Sequence, residues 1–361
     1  MLIQRTEALG EPADDPLALF SILYGVWVSK FAAFDGHATR DLARQFLTLA
    51  HQQPETLPIA LGHRLIGGSL SMAGDIAEGR KHLDRANALL NPHEHRPPGT
   101  LIGQDVGVAI LCNRGLDLWL LGYPETARAD INRALRDARE ITHGATLMYA
   151  LTFSSIVNAL ARHIAVAKAQ ADELVALTDK NGAAFWKAAG SLCKGWLVVL
   201  TGNASEAITA HGSAIAMYRS TGATVFVPLH LSMLGRAFAE LRQIEEARRC
   251  IGEATTLAEA SGERWVDAET YRIAGEIELL SPERRGADAQ RCFERALDVA
   301  RAQQARSWEL RAATSLARLW CAEGRRTEAH DLLAPIFDWF TEGFDTLDLI
   351  EAKMLLAELT S

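Results

Sequence analysis

The chain has 361 residues, of which 48% are hydrophobic and 23% are charged, and its formal net charge is −8 at pH 7. Because no cluster of lysine or arginine offsets this acidic balance, the composition argues against a general surface for nucleic acid or for an anionic membrane. The opening residues, MLIQRTEALGEPADD, lack the apolar core of a signal peptide. No apolar run is long enough to cross a bilayer, so we expect a cytoplasmic protein with no membrane partner.

The first predicted helix contains the segment LFSILYGVWVSKF, which follows a lead-in over residues 1–16. This segment is apolar on nearly every side. Such a helix is typical of a surface that an upstream domain or a second copy of the chain covers. A homodimer is therefore one expected mode of association.

From this helix onward, a column of small residues recurs about every 40 positions, as in helical repeats. Its members are Ala43, Gly79, Ala127, Ala167, Ala207, Ala247, Ala289 and Ala329. Seven residues after these sites, six of the eight positions are alanine. Twelve residues before them, six of the eight positions hold a small packing residue: Gly67, Gly115, Ser155, Gly195, Gly235 and Ala317. Small side chains at fixed places let two helix backbones approach closely, and a large residue four positions on fills the neighbouring gap.

Each repeat therefore predicts two helices joined by a turn. Glycines mark five of these turns: Gly36, Gly74, Gly122, Gly202 and Gly324. Residues 17–344 should form about eight helix pairs, and residues 345–361 a capping helix that begins at Thr346. The capping helix should cover the last repeat with Leu347, Leu349, Ile350, Met354 and Leu355. We predict an all-α fold, an α-α superhelix that forms a single domain over residues 1–361.

Signatures of catalysis, cofactors and metals are weak in this sequence. The segment GDIAEGRK, residues 74–81, resembles a phosphate loop in spacing but follows a helix and lacks the final Ser or Thr. His93, Glu94 and His95 lie in the segment NPHEHRPP, which reads as an exposed loop between repeats. We expect no catalytic residue, no cofactor and no metal site.

The five cysteines have no spacing typical of a metal site. They are Cys112, Cys193, Cys250, Cys292 and Cys321. Because these cysteines fall inside helical stretches, we expect them to be buried and reduced. A redox switch is the alternative.

The candidate binding residues lie on the first helices of the pairs, which line the concave wall in stacked helix pairs. Positions beside the small packing residue, or three before it, should project into the groove. Together with one residue a helical turn away, these positions are Arg64, Thr152, Trp196, Arg236, Glu269, Arg272, Glu276, Arg311 and Arg318. Arginine and tryptophan are common on recognition surfaces, and arginine suits an acidic or carboxylate-bearing ligand. The alternative is that Glu269, Arg272 and Glu276 only form ion pairs along one helix.

The helix-pair pattern resembles tetratricopeptide (TPR) repeats, with longer helices than usual. Segments such as LWLLGYPETA, ERWVDAETYRIAGEIELLSP and SWELRAATSLARLWCAEGRRTEAHDLL carry a narrower resemblance. They are similar to the C-terminal region of bacterial signalling proteins in which an adenylate or guanylate cyclase, or a winged-helix regulator, precedes an AAA-type ATPase and a TPR array. The resemblance spans residues 17–359. The family's phosphate loop and cyclase carboxylates are not found here, so the resemblance implies no such activity for these residues.

We therefore expect a non-catalytic regulatory sensor that holds a protein segment or a small effector in its groove. It would regulate an attached or partner ATPase, cyclase or transcriptional output. Two alternatives stay open. The chain could be the regulatory part of a cyclase or ATPase whose catalytic domains lie elsewhere, or it could be a self-associating scaffold.

Overall fold

The computed structural model describes residues 16–90, 103–181, 183–282 and 285–360. Within these ranges the chain forms 17 helices and no strand, which confirms the predicted all-α fold. The predicted loop around His93, Glu94 and His95 and nearly all of the lead-in lie outside the described residues. The helices are α1 (Pro16–Ala32), α2 (Gly36–Ala50), α3 (Thr56–Met72), α4 (Ile76–Leu89), α5 (Val106–Leu120), α6 (Pro124–Ile141), α7 (Gly144–Leu160), α8 (Ile164–Asn181), α9 (Ala184–Leu200), α10 (Ala204–Ser220), α11 (Val227–Glu240), α12 (Ile244–Ser261), α13 (Asp267–Leu280), α14 (Gly286–Ala302), α15 (Arg306–Ala322), α16 (Arg326–Asp338) and α17 (Leu347–Thr360).

Helices α1 to α16 form eight consecutive pairs, and α17 follows the last pair. Each odd-numbered helix packs on its even-numbered partner and also on the next odd-numbered helix. The stack of pairs is therefore an α-α superhelix, as the repeat spacing predicts.

The small-residue columns mark the points where paired helices touch. A Cβ atom on Gly195 would lie 2.6 Å from Nδ1 of His211, and one on Gly115 would lie 2.6 Å from Cγ1 of Ile131. Gly275 makes a similar contact two residues before the corresponding column position, since a Cβ atom there would lie 2.5 Å from the ring of Phe293. Each of these large residues stands four positions after a column member, which confirms the predicted packing of small against large side chains.

Left-handed residues end the first helix of most described pairs. Gly74, Gly122, Gly202 and Gly324 have φ between 81° and 93°. Glycine adopts this conformation without a steric penalty. Gly36 was predicted to lie in a turn, and this was wrong. It is the first residue of α2, and it packs against the backbone of Ser261.

The superhelix closes on itself after five helix pairs. At the end of α1, the carbonyl of Ala32 accepts hydrogen bonds from Thr224 N (2.8 Å) and Val225 N (3.0 Å), just before α11. One pair further on, the carbonyl of Met72 accepts a bond from Arg264 N at 2.8 Å, just before α13. Successive turns of the coil are thus in direct contact, and the space inside it is narrow.

The capping helix α17 covers the last pair with a different face from the one predicted. Leu349 and Leu355 are buried, as expected. Leu347, Ile350 and Met354 are exposed by 44%, 40% and 67%, so their prediction as covering residues was wrong. Their places are taken by Ala352 and Leu359, which are buried.

Candidate ligand site inside the superhelix

An aromatic cavity of about 140 Å³ lies inside the first turn of the coil. Of the 20 residues that line it, 16 belong to the odd-numbered helices α1, α3, α7, α9 and α11. Its apolar lining includes Tyr24, Trp27, Phe31, Tyr149, Phe153, Phe185, Trp186, Leu192, Tyr218 and Phe226. Because α1 and the residues before α11 belong to successive turns, the cavity spans the contact between those turns.

Arg64 is the one charged side chain among the described residues that line this aromatic cavity, and it is only 2% exposed. Its Nη2 donates to the hydroxyl oxygen of Tyr149 at 2.9 Å, and that oxygen also accepts from Asn113 Nδ2 at 3.0 Å. The guanidinium lies 5.1 Å from the ring centre of Trp27 and 5.6 Å from that of Tyr149. Two aromatic faces and one hydroxyl therefore hold the cation in place.

Two nitrogens of Arg64, Nε and Nη1, are buried without a hydrogen-bond partner in the described part of the chain. No carboxylate belongs to the described lining of the aromatic cavity. A buried charge is costly unless an opposite charge and hydrogen bonds compensate it. Arg64 is thus a buried cation that has two unpaired nitrogens and no carboxylate partner among the described residues.

The wall of the cavity near α11 is neutral. His230 lines the cavity, and burial, followed by the proximity of His211, holds the pKa of His230 well below its usual value. Burial also lowers the pKa of His211 to about 4. Trp196 packs edge-on against His230 with ring centres 5.8 Å apart. Both histidines are therefore uncharged at neutral pH and add no second cation to the cavity.

A row of aromatic rings fills the coil beyond this cavity. Phe153 contacts Phe226 with ring centres 6.1 Å apart, and Phe226 contacts Trp265 at 5.8 Å. Trp308 donates from Nε1 to the carbonyl of Trp265 at 3.1 Å. The interior is therefore not an open groove along its length, in contrast to the expected concave wall.

A second, polar cavity of about 150 Å³ lies on the other side of these rings. It is inside the second turn and contains five of the nine predicted binding residues. Its lining is Arg162, Arg236, Arg272, Glu276, Arg311, Thr314, Ser315, Arg318, Asp348 and Glu351.

The ion pairs of the polar cavity are largely internal to the protein. Arg272 donates from Nε and Nη2 to both carboxylate oxygens of Glu269, at 2.7 and 2.8 Å, and from Nη1 to Glu276. Glu269 is fully buried, and burial alone would raise its pKa. The charges of Arg272 and Arg311 outweigh burial and lower that pKa to about 2. The alternative, ion pairs along one helix, thus describes the pairing among these three residues, and Glu269 pairs in addition with Arg311 of α15 at 3.4 Å.

Arg311 joins three parts of the coil. Its Nε donates to Asp348 at 2.8 Å, and its Nη2 donates to the backbone carbonyl of Leu160 at 2.6 Å. Its guanidinium also lies 5.1 Å from the ring centres of Trp119 and Trp308. A side chain bound this completely holds α15, α17 and the end of α7 together and has little capacity for a ligand.

Arg162 is the exception in the polar cavity. Its side chain forms no hydrogen bond or ion pair with the described residues. Burial, followed by repulsion from Arg311, lowers its pKa to about 10. Its backbone is left-handed, with φ of 62°, in a turn where other pairs have glycine.

The predicted site residues therefore fall into three groups. Arg64 and Thr152 line the aromatic cavity. Arg236, Arg272, Glu276, Arg311 and Arg318 line the polar cavity, where Arg236 pairs with Glu240 and Arg318 with Glu351. Glu269 and Trp196 are buried, and neither belongs to the described lining of the two cavities.

The spacing rule used for prediction missed most of the aromatic lining. It considered only positions beside the small residue or one turn before it. Tyr149 lies six residues before Ser155, and Trp186 lies nine residues before Gly195. Extending the same helix face two more turns toward its N-terminus would have included both residues.

Other features place few constraints on the chemistry. No helix in the described ranges combines the length and the apolar character that a membrane span requires. Among the same residues, no group of three or more His, Cys, Asp or Glu side chains is placed to hold a metal ion. All five cysteines are free. Cys112, Cys193 and Cys250 are buried, as expected, whereas Cys292 and Cys321 are only half-buried. Burial raises the pKa of Cys193 and of Cys250 to about 11.

The architecture is similar to that of solved helical-repeat proteins. A Rap protein complexed with competence and sporulation factor matches 95% of this chain and 97% of its own chain, with a TM-score of 0.61 and 12% identity. The Rap conjugation gene regulator of plasmid pLS20, in complex with the Phr* peptide, matches 95% and 97%, with a TM-score of 0.53 and 11% identity. A signal-transduction ATPase with a TPR sensor from Pyrococcus horikoshii matches 90% and 49%, with a TM-score of 0.47 and 12% identity.

The similarities to the two Rap proteins, together with the helix pairs, show a TPR-like superhelical fold. No family model matches the chain, and no curated protein matches it.

Proposed function

We propose that this chain is a non-catalytic regulatory module that binds a protein segment or a small effector inside its superhelix. The observation that carries the proposal is the position of the aromatic cavity. The cavity takes side chains from α1 and from residues 225–226, which lie on opposite sides of the contact between turns. A ligand that touches both sides binds the closed coil better than an open one, and such differential binding shifts the equilibrium between the two.

The similarity to Rap proteins supports a peptide as one kind of ligand. One of those structures contains the Phr* peptide. The resemblance to cyclase, winged-helix and ATPase proteins supports an attached or partner output domain in a bacterial cytoplasm. In that setting the closed coil and the open coil would present different surfaces to the output domain, and any catalytic step would belong to that domain.

The ion pairs of the arginines indicate which of the two cavities could bind an acidic partner. In the polar cavity, Arg236, Arg272, Arg311 and Arg318 each have a carboxylate partner on the same chain. These four arginines therefore offer little net attraction to an acidic ligand. Arg162 has no such partner among the described residues, but it shares the cavity with the carboxylates of Glu276, Asp348 and Glu351. The aromatic cavity is the part of the interior that we assign to ligand binding.

Native mass spectrometry tests the proposal without knowledge of the ligand. The protein would be incubated with a pool of short hydrophobic peptides and small organic acids, amines and amides. Ala189 lines the aromatic cavity, so Ala189→Trp fills it. Val166 is 48% exposed on the outer helix α8, so Val166→Trp adds the same side chain without touching the cavity.

We expect a compound to be retained by the wild type and by Val166→Trp but not by Ala189→Trp. The retained compound should also slow amide hydrogen exchange at Thr224 and Val225, which bond to the carbonyl of Ala32 across the turns. Retention by all three proteins, or by none, would refute binding in this cavity.

The scaffold alternative has one observation in its favour. Phe344, Leu347, Ile350 and Met354 are exposed on or next to α17 and form the apolar outer side of the last repeat. Exposed apolar side chains in one region favour contact with another surface. Light scattering of the wild type and of Met354→Glu tests it, since a dimer formed through this face should dissociate in the variant.

A further inference from the structure

We infer that the ligand of the aromatic cavity is a carboxylate that carries one compact apolar group, and that Arg64 is the residue that recognises its charge. This inference rests on the proposed function, since it identifies the chemistry of the ligand for the same cavity. It depends on three observations: the unpaired cation, the apolar lining and the volume of the cavity.

The first observation is the charge at one end of the cavity. Arg64 is 2% exposed, and its Nε and Nη1 have no hydrogen-bond partner among the described residues. Its polar contact there is the hydroxyl of Tyr149, which is neutral. A buried guanidinium needs an anion, and its planar donors suit a carboxylate. Because the described lining contains no Asp or Glu, we assign the anion to a ligand.

The second observation is that most of the remaining lining is apolar, with Gln104, Thr152 and His230 as the polar exceptions. Aromatic rings from α1, α7 and α9 surround the cavity, and the histidine in its lining, His230, is neutral at pH 7. A second charge or a long polar chain on the ligand would be buried without a partner. The chemistry therefore favours an amphipathic monoanion over a phosphorylated or polyacidic ligand.

The third observation is the size of the space. The aromatic cavity has a volume of about 140 Å³. An apolar cavity of roughly 150 Å³ accommodates one benzene molecule. The apolar group of the ligand is therefore about the size of one phenyl ring or one leucine side chain, with the carboxylate beside Arg64.

Two sources can supply this chemistry. One is the C-terminal residue of a peptide, with its free carboxylate and an apolar side chain. The other is a small free acid such as a phenyl-substituted alkanoate. The binding experiment separates them because a peptide ligand also needs room for the preceding residues.

Isothermal titration calorimetry with defined probes tests the inference. The small probes are 3-phenylpropionate and its neutral amide, which have the same shape but different charge. The peptide probes are a tetrapeptide that ends in phenylalanine, as the free acid and as the C-terminal amide. The proteins are the wild type, Arg64→Met, Arg64→Lys and Arg236→Met, of which the last removes a paired arginine from the polar cavity.

For the wild type and for Arg236→Met, we expect the acid to bind about 10- to 100-fold more tightly than its amide, as one charge-assisted pair contributes. Arg64→Met should lose this preference, and Arg64→Lys should retain part of it. Binding of the neutral amide to Arg64→Met, with wild-type affinity, shows that the variant is folded. A preference confined to the peptide pair identifies a peptide terminus, and one confined to the small pair identifies a free acid.

Equal binding of acid and amide by the wild type would overturn the role of Arg64 and leave ligand binding in the cavity intact. An acid preference that persists in Arg64→Met would place the cation elsewhere and would also overturn the inference. If none of the four probes binds, the inference fails. The pooled experiment with Ala189→Trp then decides separately whether the cavity binds any ligand.

Discussion

Arg64 donates a hydrogen bond from Nη2 to the hydroxyl of Tyr149 at 2.9 Å, although 85 residues separate the two along the chain. This contact joins α3 to α7 on the inner side of the coil. It satisfies only part of the guanidinium, whose Nε and Nη1 remain without partners among the described residues. A buried guanidinium with unpaired nitrogens lowers the stability of the folded protein, and such a loss of stability is typical of residues that serve binding.

Arg64→Met should therefore not destabilise the protein. The substitution removes a buried cation that has no counter-ion among the described residues, and it keeps most of the apolar volume, so we expect the free energy of unfolding to rise by about 1 kcal/mol. The hydroxyl of Tyr149 keeps its bond from Asn113. Urea unfolding followed by circular dichroism measures the change.

Arg272→Met is the matched control, because it makes the same substitution at a buried arginine that is fully paired. It leaves the buried carboxylate of Glu269 with Arg311 as its remaining close cation. We expect a loss of about 3–5 kcal/mol. A similar loss in Arg64→Met would show that Arg64 is a structural residue.

The helix pairs were predictable because their packing is local. Gly195 and His211 are in contact within one repeat, and the same pair of positions recurs in other repeats. The contacts between turns were not predictable in this way. Ser307 bonds to the carbonyl of Trp119, 188 residues earlier, because small rotations between pairs add up to one full turn. The sum of those rotations leaves no periodic signal in the sequence.

For the candidate site too, the sequence predicts which helix face a residue occupies but not which residues it meets from another turn. A rule based on helix faces places Arg64 and Arg311 on the inner side of the coil, and the structure has both there. It cannot distinguish an arginine that meets Asp348 across the coil from one that meets no carboxylate. That difference depends on which helices the superhelical turn brings together.

The close contact at Gly195 leads to a second stability prediction. In Gly195→Ala, the new methyl group would lie 2.6 Å from Nδ1 and 2.8 Å from Cα of His211, so the paired helices α9 and α10 must separate. We expect a loss of about 1–3 kcal/mol, as for other overpacked cores. Thermal and urea unfolding would measure it.

Gly212→Ala provides the comparison within the same pair of helices. Gly212 lies inside α10, and a Cβ atom there would meet nothing within 4 Å. Alanine is the better helix former, so this variant should gain up to about 1 kcal/mol. A gain in both variants would contradict the close approach of α9 and α10 at Gly195.

Glu263 should make stability depend on pH. Its Oε1 accepts bonds from Phe226 N and from Trp265 Nε1, both at 2.9 Å, and burial raises its pKa to about 7. Between pH 4.5 and 7 the unfolded chain therefore releases a proton that the native protein keeps. Stability should fall across this window as pH rises, by about 3 kcal/mol from this group.

Glu263→Gln preserves the accepting oxygen and cannot ionise, so it should lose this part of the pH dependence. The free energy of unfolding in urea is measured at pH 5 and at pH 8 for the wild type and for Glu263→Gln. The change between the two pH values is then compared between the two proteins. Glu253→Gln, at an exposed carboxylate paired with Arg219, is the control and should behave as the wild type does. An unchanged difference between the two pH values in Glu263→Gln would rule out a raised pKa for Glu263.

Arg162 provides the last prediction, because its backbone and its side chain are both in unfavourable positions. Its φ is 62°, whereas Gly74, Gly122, Gly202 and Gly324 take the left-handed position in other turns. Arg162→Gly relieves the backbone and removes a cation that faces Arg311, so we expect a gain of about 1 kcal/mol in urea unfolding. Arg242→Gly is matched in φ, at 62°, but loses the bond from Nη1 to the carbonyl of Leu280, so its gain should be smaller. A loss of stability in Arg162→Gly would show that this cation stabilises the carboxylates of the polar cavity.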